Sequence, residues 1–592
     1  MPAAILRYRI TVEDALVIEG MANEQGVKGP TLATQLGTIF QPGGIIATGF
    51  ATPKEDKTPQ LVRVPPKRVI PIVLLPGIMG SNLRVSPKRQ KELKISNNSV
   101  WRPDKVKEVG SLLYHGPTRR QLLLDQAATE VDSYDPVGNP TGNSKESSDE
   151  RNSAVADIKV SLPYEKGSPV LVGDPLHGCN RLSIEERARH RGWGEVFFSS
   201  YRNLLESLEQ TLNGSHDRLK GMVGVDPATW QAHPVPTLRP LTEKDIHDAL
   251  SDQFLPVHAM GYNWLQSNHD SALLIRKRIE NLIEEYQRCG FRYEKVIVLT
   301  HSMGGLVARA LAHPKIGDMS DKILGVVNGV LPAVGAPATY KRMRCGFEEK
   351  KGGLDPVPKI IGNKGSEVTA VLGNSPGGLQ LLPCGRYGNG WLQIRHNGIV
   401  FDSFPKNGDP YEEIYKVRNR WYGLIREEWL NPARQPDATF KRACGYLNEA
   451  RNFHETLGDF YHPRTYAHYG ADPGQPSWES VVWEIHRDYV GRHWRDLSIT
   501  EDDDQGKIEA KERLEGNRHL DTKINLGVSS GSGDQTVPLR SAEHQLLDGR
   551  MKGVFRQTGY EHQDSYNNER ALNSTLYSVL KIAARMWWAD GK

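Results

Sequence analysis

Three residues of the sequence could do chemistry together: a serine at a bend, an aspartate in a glycine-rich turn and a histidine ahead of the last helix. Ser302 lies in "EKVIVLTHSMGGLVARAL" (294–311), where an apolar run gives way to a helical pattern. A serine hydroxyl is a weak nucleophile alone; it needs a base to take its proton and backbone N–H groups to hold the oxyanion that forms. A sharp strand-to-helix turn lifts Oγ above the sheet and aims the next N–H, that of Met303, at the reacting carbonyl. Gly304 and Gly305 supply the small residues such a turn requires. Asp534 follows in "GSGDQTVP" and His562 in "GYEHQDSY", so nucleophile, acid and base come in an order that strand ends can bring together. His544, in "SAEHQLL", is the rival base; it falls one turn into a connecting helix and is worse placed to reach back over a sheet. The second oxyanion donor is expected from the loop after the first strong strand, where "PGIMGS" puts the N–H of Ile78 in a tight turn. On these readings Ser302, Asp534 and His562 are catalytic, and Ile78 and Met303 form the oxyanion hole.

The elements that must position these residues alternate. "RVIPIVLLPG" (68–77), "PVHAMGYNW" (256–264), "KVIVLT" and "KILGVVNGVLPAVGAP" read as strands, the first apolar enough to be buried on both faces. "SALLIRKRIENLIEEYQRCGF" carries Leu274, Ile275, Ile279, Leu282, Ile283 and Tyr286 on one stripe before Gly290, and "LVARALAH" follows as the next helix. Alternating strand and helix mean a mostly parallel, doubly wound α/β sheet. Its pieces are expected at 67–84, 251–340 and 521–592, with "TKINLGVSSGSGDQTVP" and "MKGVFRQTG" as the last strands and "ERALNSTLYSVLKIAARMWW" as the closing helix. Residues 1–66 read as an N-terminal extension ending in the linker "ATPKEDKTPQ". Two large insertions, 85–250 and 341–520, form a cap. The first holds the polar stretch 133–154 and a helix whose Phe197, Tyr201, Leu204, Leu205 and Leu208 recur at helical spacing.

Composition closes off several function classes. With 592 residues and a net charge of +4, and no basic stripe interleaved with aromatics, nothing points to nucleic acid. Five cysteines without a CxxC argue against a zinc site and a dense disulfide framework, and no cofactor or metal is implied. "EDDDQ" (501–505) lacks the spaced ligands of a calcium loop and reads as solvent-facing acid. "YKRMRCGFEEKK" (340–351) reads as a solvated charged face, with binding of lipid phosphates as the alternative. The N-terminus shows no basic segment followed by a long apolar stretch, and no apolar run has the length of a membrane span. The expectation is a soluble cytoplasmic product without a cleavable signal, exported by a non-classical route and acting at a target-cell membrane.

"LLPGIMGSNL", "GYNW", "THSMGGLVAR", "GAP", "GSGDQTVP" and "GYEHQDSY", in this order, resemble the lecithin:cholesterol acyltransferase and PGAP1-like branch of the α/β-hydrolase fold. The length and insertions are also similar to the lipase effectors of bacterial type VI secretion systems. The resemblance covers the discontinuous core and implies an acyl-enzyme mechanism on ester-linked lipids, with Ser302, Asp534 and His562 at the motif positions. It implies a membrane phospholipid substrate, a protective inhibitor (immunity) protein and the secretion machinery as partners. An acyltransferase, or an inactive hydrolase-fold module that binds lipid or protein, is the alternative. Thr300 stands where the elbow usually has glycine, and Asn263 where the branch often has aspartate. A threonine there requires room from the neighbouring strand; Asn263 is expected to support the fold.

Overall fold

The computed structural model describes residues 68–95, 97–104, 115–134, 183–214, 217–348, 362–487, 493–513, 519–547 and 549–588, and the backbone of short strands between Arg9 and Val64. Among those N-terminal strands, Gly37–Gln41, Gly44–Gly49 and Gln60–Val64 pair as an antiparallel meander. Cys179 and nearly all of the polar stretch 133–154 lie outside the described residues.

Six parallel strands make the central sheet: β1 (Ile72–Leu75), β2 (Val257–Ala259), β3 (Val296–His301), β4 (Ile323–Gly329), β5 (Thr465–Gly470) and β6 (Gly553–Gln557). Their order across the sheet is β2-β1-β3-β4-β5-β6, every neighbouring pair parallel. Side chains alternate between two cores, as the twofold period of a strand demands. Val73, Leu75 and Val298 pack with helices α2 (Asn268–Arg288) and α3 (Gly304–Ala312); Ile72, Leu74, Ile297 and Leu299 pack on the other face with α1 (Phe198–Asn213) and α5 (Glu569–Ala583). Both faces are covered, which is why β1 and β3 are buried at every position. The expected doubly wound α/β architecture is therefore what the chain forms.

Several elements depart from the sequence pattern. Pro71 interrupts the first strand, leaving Arg68–Val69 in a small side sheet and Ile72–Leu75 in the main one. Leu274, expected on the buried stripe of α2, is 40% exposed, and Ala272 takes its place. Strand β5, "TYAHYG", belongs to the central sheet although it falls within 341–520; its two tyrosines and histidine hid it from a search for aliphatic runs. Conversely "TKINL" lies in His519–Leu526, a strand of a second six-stranded sheet with Leu392–His396, Ile399–Phe404, Val481–His486, Ser498–Asp502 and Lys507–Arg513. That strand buries alternate residues only, the mark of a sheet covered on one face.

The charged stretches are structural. Helix α4 (Pro337–Cys345) buries Tyr340, Lys341 and Arg344 rather than presenting a solvated or lipid-facing surface. Arg344 Nη1 donates to the carbonyls of Trp421 and Gly423, at 2.8 and 2.6 Å. "EDDDQ" is solvent-facing only in part: Glu501 and Gln505 are exposed, but Asp502 is paired with Arg426 at 2.7 Å, and Asp504 accepts from Ser366 Oγ at 2.5 Å. The cysteines at 289, 345, 384 and 444 are unpaired. Among the described residues no helix is long and apolar enough to cross a membrane.

Asn263 supports the fold by donating. Its Nδ2 bonds the carbonyls of Gln126 (3.2 Å) and Thr129 (2.9 Å) and Thr129 Oγ1 (3.0 Å), while Oδ1 accepts from the Leu265 N–H. A carboxylate cannot make the first three bonds and would face two carbonyl oxygens. Asn263→Asp is expected to cost about 2–4 kcal/mol, seen as a lower urea midpoint; an unchanged midpoint would contradict this role.

Candidate active site

The strand-to-helix turn after β3 holds Ser302 at φ 51, a left-handed backbone that a non-glycine residue adopts only where its surroundings enforce it. The enforcement is visible. A Cβ on Gly304 would sit 2.3 Å from the Leu75 carbonyl oxygen, and one on Gly77 would sit 3.0 Å from Ser302 Cβ. The elbow, the first turn of α3 and the loop after β1 are thus pressed backbone to backbone. The Ser302 N–H donates to the Gly329 carbonyl at 2.8 Å, and Ser302 itself is only 4% exposed.

Thr300 is accommodated by its neighbours. Its Oγ1 donates to Asn328 Oδ1 at 3.2 Å, and its carbonyl accepts from the Tyr566 hydroxyl at 2.8 Å. Gly329 on β4 leaves room for that carbonyl bond: a Cβ there would lie 2.8 Å from the Thr300 backbone oxygen and 2.4 Å from Tyr566 Oη.

Asp534 and His562 meet. His562 Nδ1 is 2.9 Å from Asp534 Oδ2, and the His562 N–H donates to the Asp534 carbonyl at 2.8 Å. The other carboxylate oxygen accepts from the N–H groups of Thr536 (3.1 Å) and Val537 (2.7 Å), so the acid is oriented by its own turn. His562 comes after β6, as expected. Asp534 does not come directly off a core strand: its turn follows the short strand Gly531–Gly533, which pairs with Asp472–Ser477 just beyond β5. Gly470 at the end of β5 makes the approach feasible, since a Cβ there would lie 2.7 Å from Asp534 Cβ. Ser477 Oγ accepts the Asp534 N–H at 3.0 Å. His544 sits elsewhere, in the 3-10 turn Glu543–Leu546 near Asp459 and Arg386.

The basic helix α4 also serves this turn. Arg342 Nη2 donates to Thr536 Oγ1 at 2.9 Å and its Nε to Glu348 at 3.1 Å. Burial opposes charge on Glu348, but Arg342 and Lys341 beside it hold its carboxyl down at about 2.

The loop carrying Ile78 is held at almost every polar atom. Tyr262 Oη donates to the Pro76 carbonyl (2.7 Å), Trp101 Nε1 to that of Met79 (2.7 Å), Trp264 Nε1 to that of Ser81 (3.3 Å), and the Gly80 N–H to that of Gly77 (3.0 Å). The Ile78 N–H lies in the same peptide plane as the Gly77 carbonyl and points the opposite way. Met303 caps α3 at its N-terminus with φ −54 and ψ −28.

Two residues that the sequence reading gave no role stand between these parts. His301 Nε2 lies 3.0 Å from the His562 carbonyl oxygen and Nδ1 lies 3.0 Å from the Tyr201 hydroxyl; Tyr201 Oη in turn accepts the Gly77 N–H at 3.1 Å. Burial, with His562 alongside, pushes His301 down to about 3, so its ring is neutral. Tyr201 had surfaced only as one apolar position of a helix. A solvent-open recess is lined by Gln475, Gln535, Tyr560, Glu561, Asp564 and Asn567, in part from the turns that carry Asp534 and His562.

The PGAP1-like α/β domain model matches residues 262–349, the stretch that contains α2, β3, the elbow and β4. A solved structure described as the crystal structure of the Tle4–Tli4 complex matches with 31% sequence identity and a TM-score of 0.68, over 88% of this chain and 99% of that one. The chain belongs to the Tle4 family. No curated protein sequence matches it. Both matches agree with the α/β-hydrolase fold and the resemblance to lipase-type effectors read from the motifs, and with assignment of this Tle4-family chain to lipid hydrolysis.

Burial sets a pH dependence for the fold. His301 is held at about 3, and burial likewise lowers His454, His462 and His468 to about 4, from an ordinary 6.5. In the window between those values the unfolded chain binds more protons than the folded one, so stability is full above 6.5 and is lost as pH falls towards 4. Each group contributes a slope of up to about 1.4 kcal/mol per pH unit. The urea midpoint is expected to fall steadily from pH 7 to pH 5; a flat profile there would contradict the neutral burial of these rings.

Proposed function

We propose that this Tle4-family protein is a serine phospholipase that cleaves carboxylic esters of membrane lipids through an acyl-enzyme. The observation that carries the reading is the hydrogen-bonded Asp534–His562 pair, in which the His562 carbonyl is tied to the ring of His301, the residue preceding Ser302. Ser302 attacks the ester carbonyl while His562 Nε2 takes its proton, and Asp534 fixes the tautomer with the proton on Nδ1 and compensates the imidazolium. The N–H groups of Ile78 and Met303 receive the oxyanion; neither has a protein acceptor among the described residues. His562 then returns the proton to the leaving alcohol, and water activated by the same histidine releases the fatty acid.

The two insertions take the role of a cap. With Ser302 only 4% exposed, an acyl chain reaches it after the cap shifts. The related Tle4 chain was solved in complex with Tli4. By analogy we assign this protein a cognate inhibitor that protects the producing cell, delivery by the type VI machinery, and action at the membrane of a target cell.

Purified protein is expected to release free fatty acid from mixed phospholipid vesicles, with Ser302→Ala and His562→Ala each lowering the rate by roughly 10⁴-fold or more. Asp534→Asn is expected to lose somewhat less. Release that persists in Ser302→Ala would refute the nucleophile, and an inactive wild type that is folded and binds vesicles would favour a binding module.

A further inference from the structure

The three parts of the proposed machinery are carried by segments far apart in the chain: the loop before Ile78, the elbow at Ser302 and the loop of His562. They converge on one buried chain of hydrogen bonds, and its middle member, Tyr201, belongs to the first insertion. We propose that Tyr201 and His301 are positioning residues for the reaction, setting the oxyanion loop and the base loop relative to the nucleophile. This rests on the reading of Ser302 as the nucleophile given above.

Each proton in the chain is fixed by its partner. The His562 carbonyl can only accept, so His301 Nε2 carries the hydrogen. A neutral imidazole then leaves Nδ1 bare, and the Tyr201 O–H must donate to it. That rotation turns the hydroxyl lone pairs to the Gly77 N–H, which donates. One direction runs from Gly77 through Tyr201 and His301 to His562. Reversing any single bond would set two donors or two acceptors face to face.

The chain touches groups that control catalytic geometry. Gly77 immediately precedes Ile78, and its N–H bond to Tyr201, with its carbonyl bond to Gly80, sets the tilt of the peptide that presents the Ile78 N–H. His301 immediately precedes Ser302. The His562 carbonyl bond fixes the backbone from which the imidazole reaches, and the His301 and His562 rings lie 5.1 Å apart. The other polar atoms of the Ile78 loop have partners of their own, Tyr262, Trp101 and Trp264. Loss of the Tyr201 hydroxyl therefore leaves the loop in place and releases only the peptide tilt. The first insertion is thus part of the catalytic centre as well as of the cap.

The test uses the full chain as wild type, Ser302→Ala, Tyr201→Phe, His301→Gln and His301→Leu. It reads kcat and KM on a soluble p-nitrophenyl ester and the rate of phosphonylation by a fluorophosphonate. Tyr201→Phe is expected to lower kcat roughly 10- to 100-fold with KM changed less than about twofold, and to slow phosphonylation in parallel. A glutamine at 301 can present its oxygen to Tyr201 and its N–H to the His562 carbonyl, so His301→Gln is expected to keep most of the activity that His301→Leu loses. A Tyr201→Phe enzyme with wild-type kcat overturns the proposal, as does a glutamine variant no better than the leucine one. Should Tyr201→Phe fail to fold, the comparison of the two 301 variants decides alone. Wild-type labelling that Ser302→Ala leaves unchanged would instead overturn the nucleophile assignment beneath it.

Discussion

Everything at this site depends on holding one non-glycine residue in a left-handed backbone. Ser302 at φ 51 carries a strain of about 1–3 kcal/mol that the turn could not sustain alone. It is sustained because three backbone segments are packed without intervening side chains: Gly304 under the carbonyls of Leu75 and Pro76, Gly77 against Ser302, and Gly329 beside Thr300. The same contacts that force the strain bring the loop of Ile78 to the elbow. The strain at Ser302 and the closeness of the Ile78 loop are two results of one packing arrangement.

Around that contact the two insertions act as structure. The first contributes Tyr201 from α1 and Trp101 from a small antiparallel sheet, both bonded to the loop after β1. The second contributes Ser477 and Arg342 to the turn of Asp534, and its buried Arg344 donates through Nη1 to the carbonyls of Trp421 and Gly423. A cap that merely covered the site would not need such bonds. Here removal of the first insertion would take two hydrogen bonds from the loop after β1, and removal of the second would take those of Ser477 and Arg342 from the turn of Asp534.

The sequence made the elbow legible because strand, glycines and helix follow one another between Val296 and Ala312, and His562 because it falls between the short strand β6 and the strongly periodic closing helix. The route to Asp534 was not legible. A strand over "TKINLGVSSGSGDQTVP" would lead straight into the acid turn, but the turn is supported by Gly470 at the end of β5 and by Asp472–Ser477 beyond it, and the polar "TYAHYG" of β5 is buried by neighbours supplied from distant segments. The opposite departure occurs at Tyr340, Lys341 and Arg344 of "YKRMRCGFEEKK", whose residues 349–351 lie outside the described ones, and at Asp502 and Asp504 of "EDDDQ", where charge suggests solvent. Their partners are carbonyls and counter-ions from elsewhere in the chain, such as Trp421, Gly423 and Arg426, and a local pattern carries no trace of them. Tyr201 and His301 were hidden for a related reason: helical spacing marks a position as buried, and says nothing of what a buried hydroxyl or imidazole touches.

The central claim is that Ser302, His562 and the N–H groups of Ile78 and Met303 surround a single reacting atom. The structure of the fluorophosphonate-treated protein tests this directly, because the phosphonyl oxygen occupies the oxyanion position. The account predicts phosphorus bonded to Ser302 Oγ, the phosphonyl oxygen within about 3 Å of both N–H groups, and His562 Nε2 within hydrogen-bonding reach of Oγ. An adduct on another residue, or an oxygen turned away from Ile78 and Met303, would contradict it.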